Sequence, residues 1–250
     1  MPTFDVLVRG AGAVGLAGAL ALSRQGLKVG LWAPPASAAA ASGPDVRAYA
    51  LNAESVALLT ELKVWHALPA GARTAVYDMR IEGDRPGAVL EFSAWSHGVG
   101  ELAWIVDAAA LEAALVGAVG FSPHITRVGD GATADLQVLA EGRDSASRER
   151  LGIRMPRQAY GQRGLAARLW APQPHAGLAR QWFRSPDVLA LLPLDQPQLG
   201  RADSGYGLVW SVPDARADTL MAMDDASFEA ALMDATAAAA GPLRLAGARA

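Results

Sequence analysis

Phe4-Asp5-Val6-Leu7-Val8-Arg9, followed by Gly10-Ala11-Gly12-Ala13-Val14-Gly15, is the stretch on which the reading of the fold turns. The first six residues are mainly β-branched or leucine and predict a short buried strand. An Ala/Leu-rich run to about Arg24 then predicts a helix, with Gly26 as its stop. Leu27 to Trp32 predicts a second strand. Strand–helix–strand order implies parallel strands joined by a right-handed crossover. The glycines have separable jobs in such a turn: Gly10 allows the sharp exit from the strand, Gly12 lets backbone approach a pyrophosphate, and Gly15 lets helix and strand pack closely. The helix start then presents unpaired N–H groups and a partial positive charge to phosphate oxygens. A dinucleotide site at Gly10, Gly12, Ala13, Val14 and Gly15 is the expectation. The competing reading is an Ala/Gly-rich helix packed closely for structural reasons alone.

One part of that fingerprint is missing. The second strand ordinarily ends in an acid that holds the ribose hydroxyls, whereas this chain reads Leu31-Trp32-Ala33. Ser37 or water is left to hold the ribose.

Outward from this unit, Asn52 to Trp65 carries Val56, Leu59 and Leu62 at helical spacing. Val76 to Phe92 predicts a hairpin around Gly83-Asp84-Arg85-Pro86-Gly87, and Asp107 predicts the N-cap of a helix bearing Leu111 and Leu115. Asp135 to Ala140 predicts a further strand. From about Pro156 the texture changes. Strand-like runs at Gln158–Trp170, Leu178–Phe183, Val188–Leu194 and Tyr206–Val212 follow one another without helices, which predicts an antiparallel sheet. A last helix is expected over Asp225–Ala240. The fold class is thus α/β, α+β overall: a Rossmann-like domain over residues 1–155, with hairpin 76–100 on the substrate side, and a mainly antiparallel substrate domain over residues 156–250.

The composition narrows the classes of function. Among 250 residues, 52% are hydrophobic and 19% charged, ample for a buried core. The 22 basic and 25 acidic residues are mixed along the chain, so neither nucleic acid nor a strongly anionic membrane is an expected partner. There is no cysteine, which removes disulfide and thiolate chemistry. The longest apolar stretch, Ala11 to Leu22, falls short of the ~20 residues of a membrane span. A soluble cytoplasmic protein is expected, with weak association at the inner membrane left open. His66, His97, His124 and His175 lack metal-ligand spacing, and no metal is expected.

Three further segments join the glycine loop: Asp45-Val46-Arg47-Ala48-Tyr49-Ala50-Leu51, Glu141-Gly142-Arg143-Asp144-Ser145-Ala146-Ser147-Arg148, and Leu189–Leu194 with Val209-Trp210. Taken in order, they make the chain resemble the FAD-dependent hydroxylases of ubiquinone biosynthesis, among the para-hydroxybenzoate-hydroxylase-like flavoproteins. The resemblance implies FAD as cofactor, NAD(P)H as reductant, O₂ as co-substrate, and a small aromatic substrate that is open to polyprenylation. Other ubiquinone-biosynthesis proteins are implied as partners. Gly10, Gly12 and Gly15 would hold the pyrophosphate, and Arg47 would reach the cofactor. Glu141-Gly142 would also bind the cofactor near the pyrophosphate, standing where the family has an Asp-Gly turn, one methylene shorter. Arg148 is read equally as a cofactor residue or a surface ion pair. The hard chemistry in this family belongs to the flavin, and no catalytic side chain is named.

The resemblance also has gaps. A third FAD motif, Gly-Asp followed by His and a Pro/Gly-rich run, would begin about where Gly247-Ala248-Arg249-Ala250 stands. A truncated product or a reduced relative is therefore expected. An accessory or scaffold protein without catalysis remains the alternative, and a nicotinamide- or flavin-dependent reductase a third reading. His97, between Trp95 and Trp104, is the histidine to test as a pocket residue. Trp170, Trp182, Trp210, Tyr160 and Tyr206 divide between core and pocket lining.

Overall fold

A computed structural model describes residues 4–33, 45–198, 200–201 and 204–250. In chain order the elements begin with β1 (Phe4–Arg9), α1 (Ala13–Arg24), β2 (Val29–Trp32), β3 (Ala48–Leu51), α2 (Ala53–Glu61) and β4 (Arg73–Val76). Next come β5 (Asp78–Glu82), β6 (Val89–Ser93), α3 (Ala94–His97), β7 (Ala103–Asp107), α4 (Ala108–Gly120), β8 (Ile125–Val128), β9 (Ala134–Leu139) and α5 (Ala146–Arg150). The last are β10 (Gln162–Trp170), β11 (Leu178–Arg184), β12 (Asp187–Leu194), β13 (Gly205–Pro213), α6 (Asp214–Ala222), α7 (Asp225–Ala235) and β14 (Arg244–Arg249). Ser37, the suggested ribose ligand, lies outside the described residues.

Two compact units result. The first takes residues up to 42, 57–68 and 110–158; the second takes 43–56, 69–109 and 159–250. Residues 43–56 and 69–109 therefore join the later part of the chain rather than the glycine loop.

The first unit is built on a sheet of order β8-β2-β1-β9 in which every pairing is parallel. Parallel strands buried by a crossover helix read as continuous apolar runs. Val6, Leu7 and Val8 of β1, with Val29 and Leu31 of β2, are accordingly buried, and α1 packs against this sheet through Leu16, Ala19 and Leu20. The predicted helix at 52–65 ends earlier, at Glu61. Lys63 takes the left-handed conformation there (φ 60°), and its amide returns to the Thr60 carbonyl, which closes the last turn.

The second unit carries a seven-stranded sheet, β14-β10-β13-β12-β11-β5-β6, and a three-stranded sheet, β3-β7-β4. The larger sheet is antiparallel except where β5 pairs parallel with β11. Helices α6 and α7 cover one face. Trp182 of β11, Trp210 of β13 and Phe228 of α7 are almost fully buried there, with the Trp210 and Phe228 rings 6.1 Å apart. Each large apolar side chain buried this way, Leu191 and Leu208 included, contributes about 1.5–3 kcal/mol against exposure. Of the aromatic residues left undecided by sequence, Trp182, Trp210 and Tyr206 are core, whereas Tyr160 is exposed.

Among the described residues, eight elements were not predicted from the sequence: β3, β4, α3, β7, β8, α5, α6 and β14. Strand β14 is Arg-Leu-Ala-Gly-Ala-Arg, which has little intrinsic strand preference; it is held by pairing to β10. Helix α6 is nearly as polar as apolar, and β8 has only four residues. The closing helix also stops at Ala235 instead of Ala240, because Ala237 and Ala238 turn left-handed.

A buried histidine gives the second unit a pH dependence. His175 accepts the Gly177 N–H at Nδ1 (3.0 Å), places Nε2 3.2 Å from an Asp195 carboxylate oxygen and meets Tyr206 edge-on. Burial pushes its pKa below the ordinary 6.5, and the Asp195 charge recovers only part of that shift. The folded protein thus holds the ring neutral, while the unfolded chain takes a proton below about pH 6.5. Stability should be complete above that value and decline as the pH falls toward the lowered pKa. Denaturation midpoints at pH 7.5 and 5.5 should separate for the native chain and converge in His175→Gln. An equal acid loss in the variant would refute the assignment.

Candidate functional site

In the first unit, the glycine-loop residues Gly10, Gly12, Ala13, Val14 and Gly15 gather with Glu141-Gly142 at the carboxyl ends of β1 and β9. Gly10 has φ +120°, and a Cβ there would come 2.1 Å from the Ala140 carbonyl oxygen; one on Gly15 would come 1.9 Å from the Gly10 oxygen. Both glycines are required by close backbone approach. Gly12 differs: it sits in extended conformation at the N-cap of α1, and a Cβ on it meets no atom within 4 Å. The space above Gly12 is therefore open.

The start of α1 is likewise free for a ligand. Gly12 provides no side-chain cap, and the first turn holds no acid. Helix N-termini leave amide donors and partial positive charge, here facing the space above Gly12. Val14 is 79% exposed beside it.

Glu141 does not extend into that space. Its carboxylate accepts bonds from the Ser145 and Ser147 hydroxyls and from the Ser147 amide, so it fastens the loop to the start of α5. Burial works to raise its pKa, but these donors and the Arg9 charge outweigh burial and hold it below the ordinary 4.5. Arg148 turns back on the carbonyls of Gly142 and Arg143, bracing the same turn.

Arg9 was not singled out from the sequence. It closes β1 and is 5% exposed, with Nε donating to Ser147 Oγ at 2.7 Å and Nη2 paired with Asp130. Its guanidinium lies 4.2 Å from the centroid of the Trp32 ring. A charged residue ending an otherwise apolar strand was the available signal. The network Asp130–Arg9–Ser147–Glu141 ties the β8, β1 and β9 ends together directly beside the glycine loop. Ala33, where the ribose acid was expected, is exposed and has no carboxylate to offer.

In the second unit, Arg47 lines an apolar cavity of about 360 Å³ with Val46, Tyr49, Ala166, Leu192 and Val209. Asp45 grips its guanidinium at two points, 2.8 Å at Nε and 2.6 Å at Nη2, and the charge stands 5.7 Å from the Tyr49 ring centroid. The hydrogen bonds from Arg47 in turn hold the Asp45 carboxyl below its usual range. The volume falls in the range of small-ligand sites, which combine apolar walls with a few placed polar groups. His97, by contrast, is exposed at the end of α3 with its ring bonded to the Ser93 carbonyl, and the adjacent Trp95 is 92% exposed.

A parallel sheet with a glycine turn, joined in one chain to a largely antiparallel sheet, is the fold of FAD-dependent monooxygenases. PqsL of Pseudomonas aeruginosa, described as a probable FAD-dependent monooxygenase, matches with a TM-score of 0.70 at 18% identity, covering 98% of this chain and 73% of that one. A single-substitution variant of HpxO from Klebsiella pneumoniae, solved with FAD, matches with a TM-score of 0.62 at 18% identity, covering 96% and 64%. In sequence, the chain is similar to 3-demethoxyubiquinol 3-hydroxylase of Escherichia coli K12, 28% identical over 249 residues. It is also similar to ubiquinone hydroxylase UbiL of Rhodospirillum rubrum, 27% identical over 250 residues. These matches cover 90% and 91% of this chain but 62% and 56% of the relatives' lengths. No family model matches. The resemblance read from the motifs is thus carried by the sequence comparison as well as by the fold.

Proposed function

We propose that this chain forms the FAD- and substrate-holding part of an aromatic-ring hydroxylase acting on a ubiquinone precursor, with NAD(P)H and O₂ as co-substrates. The observation that carries the cofactor reading is the open space above Gly12, facing uncapped helix amides, between two glycines that no other residue could replace. Gly10, Gly12, Ala13, Val14 and Gly15 would receive the pyrophosphate, and Arg47 an anionic or electron-rich part of the cofactor. Glu141-Gly142, bound to Ser145 and Ser147, would fix the wall of that turn. When bound, FAD supplies the electron transfer and oxygen activation that no side chain of this protein can. The protein's own contribution is to bind, orient and exclude water, and the cavity beside Arg47 has the apolar walls an aromatic ring requires. Among the described residues no helix is long and apolar enough to cross a membrane.

A second reading, a relative that has lost catalysis and serves as an accessory protein, is favoured by the exposed Ala33 in place of a ribose acid. Titration with FAD separates the two. The hydroxylase reading expects saturable binding with a flavin band near ~450 nm, followed by NAD(P)H oxidation that a phenolic substrate accelerates. Folded protein that takes up no flavin would overturn it in favour of the accessory reading.

A further inference from the structure

The second unit contains a buried cation to which the cofactor reading assigns no task. Arg168 of β10 lies on the same face of the sheet as Ala166, which lines the Arg47 cavity. It is 5% exposed, and its hydrogen bonds run to the segment that carries Arg47 and to that segment's neighbour. Nε donates to the Val46 carbonyl at 2.7 Å. Nη2 donates to the Arg47 carbonyl at 2.6 Å and to Asp107 at 2.9 Å. Asp107 ends β7 opposite Ala48 of β3, and the next amide, Ala108 N–H, donates to the same Arg47 carbonyl at 3.2 Å. Across the sheet, Arg168 is paired with Gly207, where a Cβ would come 3.4 Å from the Ala48 methyl. Gly207 thus borders Ala48 of β3 beside the arginine.

Stability alone is a weak reason for this arrangement. A buried ion pair loses much of its attraction to desolvation, and apolar residues of similar volume often do as well. What a planar guanidinium does that an apolar side chain or a lysine cannot is hold two consecutive carbonyls and a carboxylate in one fixed geometry. The two carbonyls belong to the residue before Arg47 and to Arg47 itself. Asp45 then aims the Arg47 side chain from outside.

We infer that Arg168, seated by Asp107, is a positioning residue: it fixes the backbone from which Arg47 projects at the cavity and so sets the affinity for the anionic or ring-bearing ligand that Arg47 meets. The inference rests on the proposed role of Arg47 as a ligand contact. It extends that role to a residue that touches neither cofactor nor substrate.

A double-mutant cycle tests it. FAD affinity, read by flavin fluorescence, is measured for the native chain, Arg47→Ala, Arg168→Lys and the double variant, with circular dichroism confirming the fold of each. Arg168→Lys keeps the charge beside Asp107 and loses the fork. It should weaken FAD by about tenfold when Arg47 is present and by no more than about twofold when Arg47 is alanine. Asp107→Asn provides the same comparison if the lysine variant does not fold. An equal loss in both backgrounds, or no loss in either, overturns the positioning role and leaves Arg168 a stabilising residue. The cycle is repeated with 4-hydroxybenzoate as a probe of the cavity. If native protein binds no FAD but binds this ring with the same coupling, the cofactor reading fails and the positioning role stands. Absence of coupling with both ligands, including absence of binding, overturns the positioning role.

Discussion

Gly12→Val should leave the first unit folded and abolish measurable FAD binding, weakening it by at least about a hundredfold, or ~2.7 kcal/mol. The expectation follows from the contrast among the three loop glycines. A side chain on Gly12 meets no protein atom within 4 Å, and the residue's backbone is extended, so nothing in the fold resists valine. The branched side chain would instead fill the space a pyrophosphate needs to reach the amides of α1. Gly15→Val should behave differently. Its Cβ would overlap the Gly10 carbonyl, so β1 and α1 must separate and the unit should lose its cooperative unfolding. Circular dichroism and flavin fluorescence on the two variants settle the matter. Unimpaired FAD binding by a folded Gly12→Val protein would show that the loop is only a packing device.

Asp107→Ala should cost the second unit about 3–5 kcal/mol, because it leaves the Arg168 guanidinium buried without its counter-charge. The loss should appear in urea denaturation followed by the emission of buried Trp182 and Trp210. Adding Arg168→Met should restore part of it by removing the uncompensated charge. Recovery should be incomplete, since the Val46 carbonyl would still lack the partner that Arg168 supplies, at about 1–3 kcal/mol. A single variant as stable as the native chain would mean that water reaches Arg168 freely, and would remove the physical basis for the clamp.

The parts of the fold that could be read in advance share a physical character: each was specified by local chemistry. β1, α1 and β2 announce themselves through an apolar run, three glycines and a helical stop. The strands from Gln162 to Val212 are long and rich in β-formers, and they appear where expected. The hairpin of β5 and β6 turns on Gly83–Gly87 as its glycines and proline dictate. The parts that escaped the sequence depend on distant partners. β14 is a strand only because β10 is beside it. Asp107, read only as the cap of the following helix, also holds Arg168 from 61 residues away.

The candidate site divides along the same line. Gly10, Gly12 and Gly15 could be proposed because glycine spacing is itself the signal for a backbone-lined anion site. Arg47 and Glu141 were proposed through the resemblance of their segments, and the Glu141 carboxylate bonds Ser145 and Ser147 instead of extending into the open space. Arg9 was hidden: it looked like the polar end of a strand, and its burial arises from Asp130, Ser147 and Trp32, all brought in by tertiary structure. Arg168 was hidden in the same way, one arginine in a strand whose alternation gives no hint that its face is closed over by β3.

By itself, the sequence determined a βαβ unit with a tight glycine turn between its first strand and helix, because turn chemistry and periodicity act over a few residues. Only the tertiary structure decided which glycine faces open space and which ones face backbone. It alone also showed that Glu141 is held by Ser145 and Ser147, and that Arg47 stands on a buried arginine. Those facts depend on distances between residues far apart in the chain, and burial and charge pairing are set by such distances.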